Sequence, residues 1–356
     1  MRVLTVIGSR PQFVKAAAVS RRLRAGHDEF LINTGQHYDD ELSTIFVTEL
    51  GIPEPELELG LGGGTNTEQT ARMLSAIAPV IAEQQPDAVL VYGDTNSTLA
   101  GGLAAAQAGI PVAHVEAGMR SFDRRMPEEL NRVLTDHLSD LLLVPTPAAV
   151  ANLEREQVVG RVALVGDVMV DVAALVRPRA AGEAGPLEAA GVEAGGYTLA
   201  TSHRAGNVDD PARLRKLVDL LLAVPGHVVF PVHPRTRARL EAAGWLGELE
   251  AAPQISLLAP QGYLAFTALL TQAAAVLTDS GGVQKEAYLA GVRCVTMRDT
   301  TEWGETVDAG WNALVDLDTS RALAELERPL PTERPELYGD GHAGERVVTE
   351  LLTLAG

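Results

Sequence analysis

The sequence predicts an α/β protein of two doubly wound domains facing each other across a cleft, each domain a parallel sheet with helices on both faces. Three observations lead there. Short apolar runs rich in β-formers alternate with longer helix-like segments, the pattern of strands buried on both faces. At 356 residues the chain exceeds one ordinary core, and domains of about 150 residues imply two of them. The stretch RPRAAGEAGPLEAAGVEAGG, residues 177–196, is rich in Gly, Ala, Pro and Glu without clear periodicity, and it reads as a mobile connection near a domain boundary.

In chain order the strand candidates are 3–7, 30–33, 88–92, 112–115, 141–144 and 162–165, then 197–201, 228–232, 255–258, 275–278 and 293–297. The start, MRVLTVIGSRPQF, has too short an apolar core for a signal peptide and supplies the first strand. That strand ends in GSRPQ, not G-x-G-x-x-G, and no acidic residue follows the second strand at the expected place. A nicotinamide dinucleotide site is therefore not expected. The run Gly62-Gly63-Gly64 lacks a following Lys-Ser/Thr and is a loop, not a P-loop.

Composition narrows the partners. Hydrophobic content of 46% with 21% charged residues describes a soluble globular protein, and no apolar run approaches the roughly 20 residues of a membrane span. The formal net charge of −18 repels nucleic acid and anionic membrane surfaces, so neither is an expected partner. An anionic ligand would need a local cluster of cations or backbone N–H groups. The one cysteine, Cys294, excludes an internal disulfide, fits a cytoplasmic location, and reads as a small buried hydrophobe.

Open parallel sheets bind ligands beyond the carboxyl ends of their strands, and the unusual polar residues fall there repeatedly. Arg10 follows the first strand, with Lys15 one turn further on; Asp94 follows VLVYG and Glu116 follows VAHV. His203 and Arg204 follow YTLAT, His233 follows VFPV, and Asp279-Ser280 follow AVLT. Within DSGGVQKEA, Gly281 and Gly282 let a ligand approach backbone. The helix starting there offers free N–H groups and a positive dipole end to a phosphate. Glu286, one turn in, is placed to accept from a ribose hydroxyl, while Lys285 reads as a surface residue. His37 is a further candidate for the cleft lining. The histidines lack metal-ligand spacing, so neither a metal nor another cofactor is expected.

The densest charge cluster is HVEAGMRSFDRRMPEELNR, residues 114–132. Glu116, Glu128 and Asp94 can converge from adjacent strand ends, and Arg132, one turn after Glu128, can hold a carboxylate in place. Arg120, Arg124 and Arg125 read as loop or subunit salt-bridge residues, and Glu129 as solvent-facing.

GSRPQFVK, TGQHYD, VYGDTNST, HVEAGMRS with PEELNR, GDVMVD, TSHR, PVHPR, TDSGGVQKEA, RDTTEWGET and YGDGHAGERVV occur in this order. In them the chain resembles the non-hydrolysing UDP-N-acetylglucosamine 2-epimerases over almost its whole length. It differs where the family's HRREN is HRAGN, QEEA is QKEA and TTERPE is TTEWGE. The resemblance implies a glycosyltransferase-B-type fold of two Rossmann-like domains. Its expected boundaries are 1–168 for the N-terminal domain with the catalytic acids, 169–338 for the UDP-binding domain, and 339–356 for a C-terminal helix returning to the first. It implies a homodimer acting on a UDP-amino sugar. Arg10, Lys15, His203, Ser280, Gly281, Gly282 and Glu286 match positions that hold UDP; Arg204 belongs to the same rim and His233 matches the PVH position. Asp94, Glu116, Glu128 and Arg132 match catalytic or sugar-site positions, and His203 joins them as a catalytic candidate.

The chemistry fits those acids. The C2 proton of the sugar has no adjacent carbonyl to acidify it, and oxidation would need the missing nicotinamide site. Expulsion of UDP across C1–C2 gives 2-acetamidoglucal, and re-addition with protonation on the other face inverts C2. Carboxylates remove and return the proton, and cations with helix N–H groups stabilise the departing diphosphate. The sequence leaves the order of Asp94, Glu116 and Glu128 open. Another UDP-amino-sugar epimerase or a UDP-sugar transferase of the same fold is the alternative, but a transferase should lack the clustered acids.

Overall fold

The structure, a computed structural model, describes residues 1–36 and 51–354. By internal contacts the chain divides into two compact units, Met1–Ala174 with Glu336–Gly356, and Leu175–Pro335. The first is built on β1 (Arg2–Ile7), β2 (Asp28–Asn33), β3 (Leu57–Glu58), β4 (Ala88–Tyr92), β5 (Val112–Val115), β6 (Leu141–Val144) and β7 (Arg161–Leu164). Among the described residues these form one sheet in the order β3-β2-β1-β4-β5-β6-β7, every pairing parallel. The second unit carries β8 (Tyr197–Thr201), β9 (His227–Pro231), β10 (Ile255–Leu258), β11 (Ala275–Thr278), β12 (Arg293–Thr296) and β13 (Asn312–Leu314). Their order is β10-β9-β8-β11-β12-β13, again all parallel. The expected α/β class with two doubly wound parallel sheets is thus what the chain forms.

Apolar strands make these sheets because each face is covered. In the first unit Leu4, Val6, Ile32, Val89 and Val91 pack against Met73, Ile77 and Ile81. Those three recur every four residues along the helix Asn66–Gln84, whose start is fixed by a capping box between Thr65 and Glu68. In the second unit Val228 and Phe230 meet Leu214, Leu217 and Leu221 on one face, while Leu199, Val229 and Val276 meet Leu269 and Ala287 on the other. Cys294 lies in that second layer, and burial pushes its thiol up to about 12, as suits a packing residue.

The segment 177–196 departs from expectation. The helix Val168–Ala180 runs into it and a further helix, Gly185–Ala190, lies within it. Leu187 and Ala190 are buried against Tyr197 and Leu199. Its alanines and glycines hide two short apolar faces that composition alone conceals.

The order of strands reverses between β1 and β4 in one sheet and between β8 and β11 in the other. At such a point successive connections leave on opposite faces, and the diverging loops open a crevice at the strands' carboxyl ends. Gln12 braces the first crevice: its side-chain oxygen accepts from the backbone of Gly8 at 2.8 Å and its amide donates to the Tyr92 carbonyl at 2.8 Å. The ends of β1 and β4 are thereby tied.

The helix Ala343–Leu351 completes the first unit. Asp171, from the GDVMVD motif, is buried and accepts from the backbone N–H groups of Ala343 at 3.0 Å and Gly344 at 3.1 Å, a carboxylate at a positive helix end. The helix packs against Arg10–Leu23 so closely that a Cβ on Gly344 would stand 2.4 Å from the Ala18 carbonyl oxygen. Gly344→Val should therefore cost about 1–3 kcal/mol through overpacking; a thermal scan showing a lowered midpoint is the expected outcome.

Candidate active site

In the first unit the carboxyl ends of β1, β4 and β5 bring together four of the expected residues. Asp94 follows β4 by one glycine. Arg132, on the helix Pro127–Leu138, donates from Nη2 to Asp94 Oδ2 at 2.5 Å, and Asn131 on the same helix donates to the Asp94 carbonyl at 3.0 Å. Lys15, one turn into the helix after β1, forms an ion pair with Glu116 after β5. The two heads meet above Gly93, where an added Cβ would lie 3.1 Å from Lys15 Nζ and 3.6 Å from Glu116 Oε2; the glycine has φ +64°, so both the space and the conformation require it. Glu116 itself has φ +70°, a left-handed conformation that a side-chain-bearing residue holds only when its surroundings over-determine it.

The electrostatics favour ionised acids. Burial pushes the Asp94 carboxyl up, but Arg132 and Lys15 outweigh it and hold it below its ordinary value. Behind it, Glu129 accepts from Ser121 N at 2.8 Å and Phe122 N at 2.9 Å and from Arg132 Nη1 at 2.9 Å. Burial opposes ionisation there too, and the Ser121 and Phe122 bonds with Arg132 overcome it.

Several expectations need correction. Glu129, expected to face solvent, is 2% exposed. Glu128 is the exposed member of the pair, and its side chain makes no hydrogen bond or ion pair among the described residues. Arg132 therefore steadies Asp94 and Glu129, not Glu128, because the i,i+3 partner lies on the buried face of the helix. Arg120 is a loop salt-bridge residue, as expected, but a buried one, bonding Asp136 at 2.7 Å and Glu156 at 2.7 Å. Arg125 is exposed and pairs with Asp123. Arg10 opens its helix as expected from its place after β1, and His37 lies outside the described residues.

The second unit repeats the plan around β8 and β11. Asp279, fully buried, accepts from Ser202 Oγ at 2.7 Å, His203 N at 3.1 Å and Arg204 N at 3.1 Å, fixing the loop that carries both basic side chains. The His203 and His233 rings stand 5.3 Å apart, and His233 caps the helix Pro234–Ala243 by accepting from Arg235 N. Ser280, Gly281 and Gly282 form the start of the helix Gly281–Ala290, and Ser280 makes no side-chain cap. Glu286 is half-buried one turn later.

Two residues here escaped assignment. Glu302, in the TTEWGE stretch, lies so close to the helix start that a Cβ on Gly281 would be 2.0 Å from its Oε1; it pairs with Arg298 at 2.9 Å and Arg204 at 3.8 Å. Lys285, expected on the surface, is 2% exposed with its ammonium 4.3 Å from the Trp303 ring centroid, a cation–π contact. Lys285 and Trp303 are the two departures QKEA and TTEWGE, and the fold stacks one on the other. Among the described residues no group of three or more His, Cys, Asp or Glu is arranged to hold a metal ion.

Against known proteins, the family model for UDP-N-acetylglucosamine 2-epimerase matches residues 21–352. The chain belongs to that family. It is an epimerase, with two parallel-sheet α/β units of the glycosyltransferase-B type. It is 43% identical over 99% of its length to the whole of a UDP-N-acetylglucosamine 2-epimerase homolog of Methanococcus maripaludis. It is 45% identical, again over 99% of this chain and 100% of the relative, to the UDP-2,3-diacetamido-2,3-dideoxy-D-glucuronate 2-epimerase of Pseudomonas aeruginosa. The crystal structure of the Methanocaldococcus jannaschii UDP-GlcNAc 2-epimerase in complex with UDP-GlcNAc and UDP superposes with a TM-score of 0.92 at 40% identity, covering 99% of this chain and 100% of that one.

The pairing of Asp94 carries a pH consequence. A carboxyl whose folded pKa is depressed stabilises the fold above its unfolded value of about 3.9, and that contribution is lost as pH falls through the folded value. Arg132→Met removes the main cation and should move both the acid limb of the pH–rate profile and the acid unfolding midpoint to higher pH; rate measurements and circular dichroism across an acid titration check it.

Proposed function

We propose that the protein interconverts UDP-N-acetylglucosamine and UDP-N-acetylmannosamine by inversion at C2. The observation that carries this reading is the set of ion-paired acids Asp94 and Glu116 at adjoining strand ends, in a chain of this family. A carboxylate of the first unit takes the C2 proton; the C–H electrons form the C1=C2 bond, and the C1–O bond breaks with its electrons on the diphosphate oxygen. The products of this half are 2-acetamidoglucal and UDP. Protonation of C2 on the opposite face and attack of the diphosphate oxygen on C1 complete the inversion. Arg132 and Lys15 hold the Asp94 carboxyl below its ordinary value, Glu128 takes the sugar or the returning proton, and Arg10 with Lys15 contributes positive charge toward UDP. In the second unit His203, Arg204, Ser280, Gly281 and Gly282 hold the diphosphate, Glu286 the ribose, and His233 braces His203.

We further propose a cytoplasmic homodimer. No described helix is long and apolar enough to cross a membrane, and Leu130 and Leu134, 40% and 50% exposed, give the helix Pro127–Leu138 an apolar face of the kind a second copy covers. A second substrate reading, the UDP-2,3-diacetamido uronate, is favoured by the Pseudomonas aeruginosa relative.

The test is proton NMR of the protein with each sugar nucleotide in D2O, without added nicotinamide or metal. The C2 epimer carrying deuterium at C2 is expected, and the substrate that turns over decides between the readings; free amino sugar with UDP, or an unchanged spectrum for both, rejects the proposal. Glu116→Gln should retain UDP binding by calorimetry while turnover drops at least about a hundredfold, the scale of a lost acid–base group.

A further inference from the structure

The mechanism just described leaves the fully buried titratable pair His114 and Asp136 unused. His114 on β5 is 0% exposed and stands two residues before Glu116. Its Nε2 lies 2.7 Å from the Gly93 carbonyl oxygen, the peptide on which Asp94 hangs. Its Nδ1 lies 2.7 Å from Asp136 Oδ1, and Asp136 Oδ2 accepts from the Gly118 N–H at 3.0 Å and from Arg120 Nη1 at 2.7 Å. One dyad therefore grips the peptide immediately before Asp94 and the amide two residues after Glu116.

A carbonyl oxygen only accepts, so Nε2 must donate to it; an ionised carboxylate likewise only accepts, so Nδ1 donates too. Imidazole is the side chain that can reach two acceptors from opposite edges of one rigid ring. The left-handed turn at Glu116 also needs a surrounding that over-determines it, and the grip on Gly118 supplies one.

We propose that His114 and Asp136 are positioning residues, with both ring nitrogens of His114 donating, that set the spacing of the Asp94 and Glu116 carboxylates. The inference rests on the function proposed above. Neither residue touches substrate; each acts through the backbone that carries an acid. A misplacement of catalytic groups by an ångström costs on the order of a hundredfold in rate, whereas a binding site elsewhere in the chain is indifferent to it.

The experiment compares His114→Gln and Asp136→Asn with the unmodified protein. In folded variants, kcat and the rate of C2 deuterium incorporation should fall together by at least about tenfold, with KM and UDP affinity changed by no more than about threefold. Unchanged kcat, or a loss shared equally by KM and UDP affinity, overturns the proposal. Should neither variant fold, nitrogen-15 NMR of histidine-labelled unmodified protein decides: two slowly exchanging ring N–H signals for the buried histidine are expected, and a single one overturns it. If the unmodified protein turns over neither sugar nucleotide, the functional reading fails while the nitrogen spectrum still tests the dyad.

Discussion

A carboxylate at the end of a buried strand has to be matched with a cation, or burial will take its charge away. The rim of the first unit is organised around that constraint. Arg132 reaches Asp94 from one helix and Lys15 reaches Glu116 from another, so each acid has a cation against it, and the Asp94 carboxyl is held below its ordinary value despite its burial. Gly93 is bare of a side chain so that the two heads can meet over it. Glu129 is buried to hold Arg132, and Asn131 to hold the Asp94 backbone. Remove the pairing and the helix Pro127–Leu138 loses its reason to present that face.

The second unit gathers charge at the corresponding rim in a different way. Asp279 spends its own charge on backbone N–H groups of the 202–204 loop, which fixes the backbone that carries the His203 and Arg204 side chains. Glu302 lies beside Gly281 at the start of the helix Gly281–Ala290, where Arg298 and Arg204 both pair with it. The cation–π contact of Lys285 with Trp303 anchors the loop that bears Glu302.

Much of the architecture was legible because buried parallel strands are written as unbroken apolar runs. Ala88–Tyr92, Tyr197–Thr201 and Ala275–Thr278 stand out in that way. β3 and β13, two and three residues long, were not legible: a strand so short at a sheet edge has no period to read. The helix Gly185–Ala190 was hidden by small residues that look like linker. The positions of Asp94, Glu116, His203 and Asp279 in the loops after β4, β5, β8 and β11 were legible, because loop position is fixed by topology. Which of Glu128 and Glu129 turns inward was not, since adjacent helical residues lie about 100° apart and only packing chooses the face. His114 and Asp136 look in sequence like an ordinary strand residue and an ordinary helix residue, and their partnership exists only in three dimensions.

The return of the last helix to the first unit has a bearing on how the protein is made. Domains fold largely as units during synthesis, the earlier ones first. Here Asp171 must wait for the amides of Ala343 and Gly344, and the groove beside Ala18 stays open while the whole of Leu175–Pro335 is translated. For that interval the ribosome carries an acid-bearing unit with an uncapped apolar seam, so the time taken to synthesise the second unit governs how long the first is exposed to premature association.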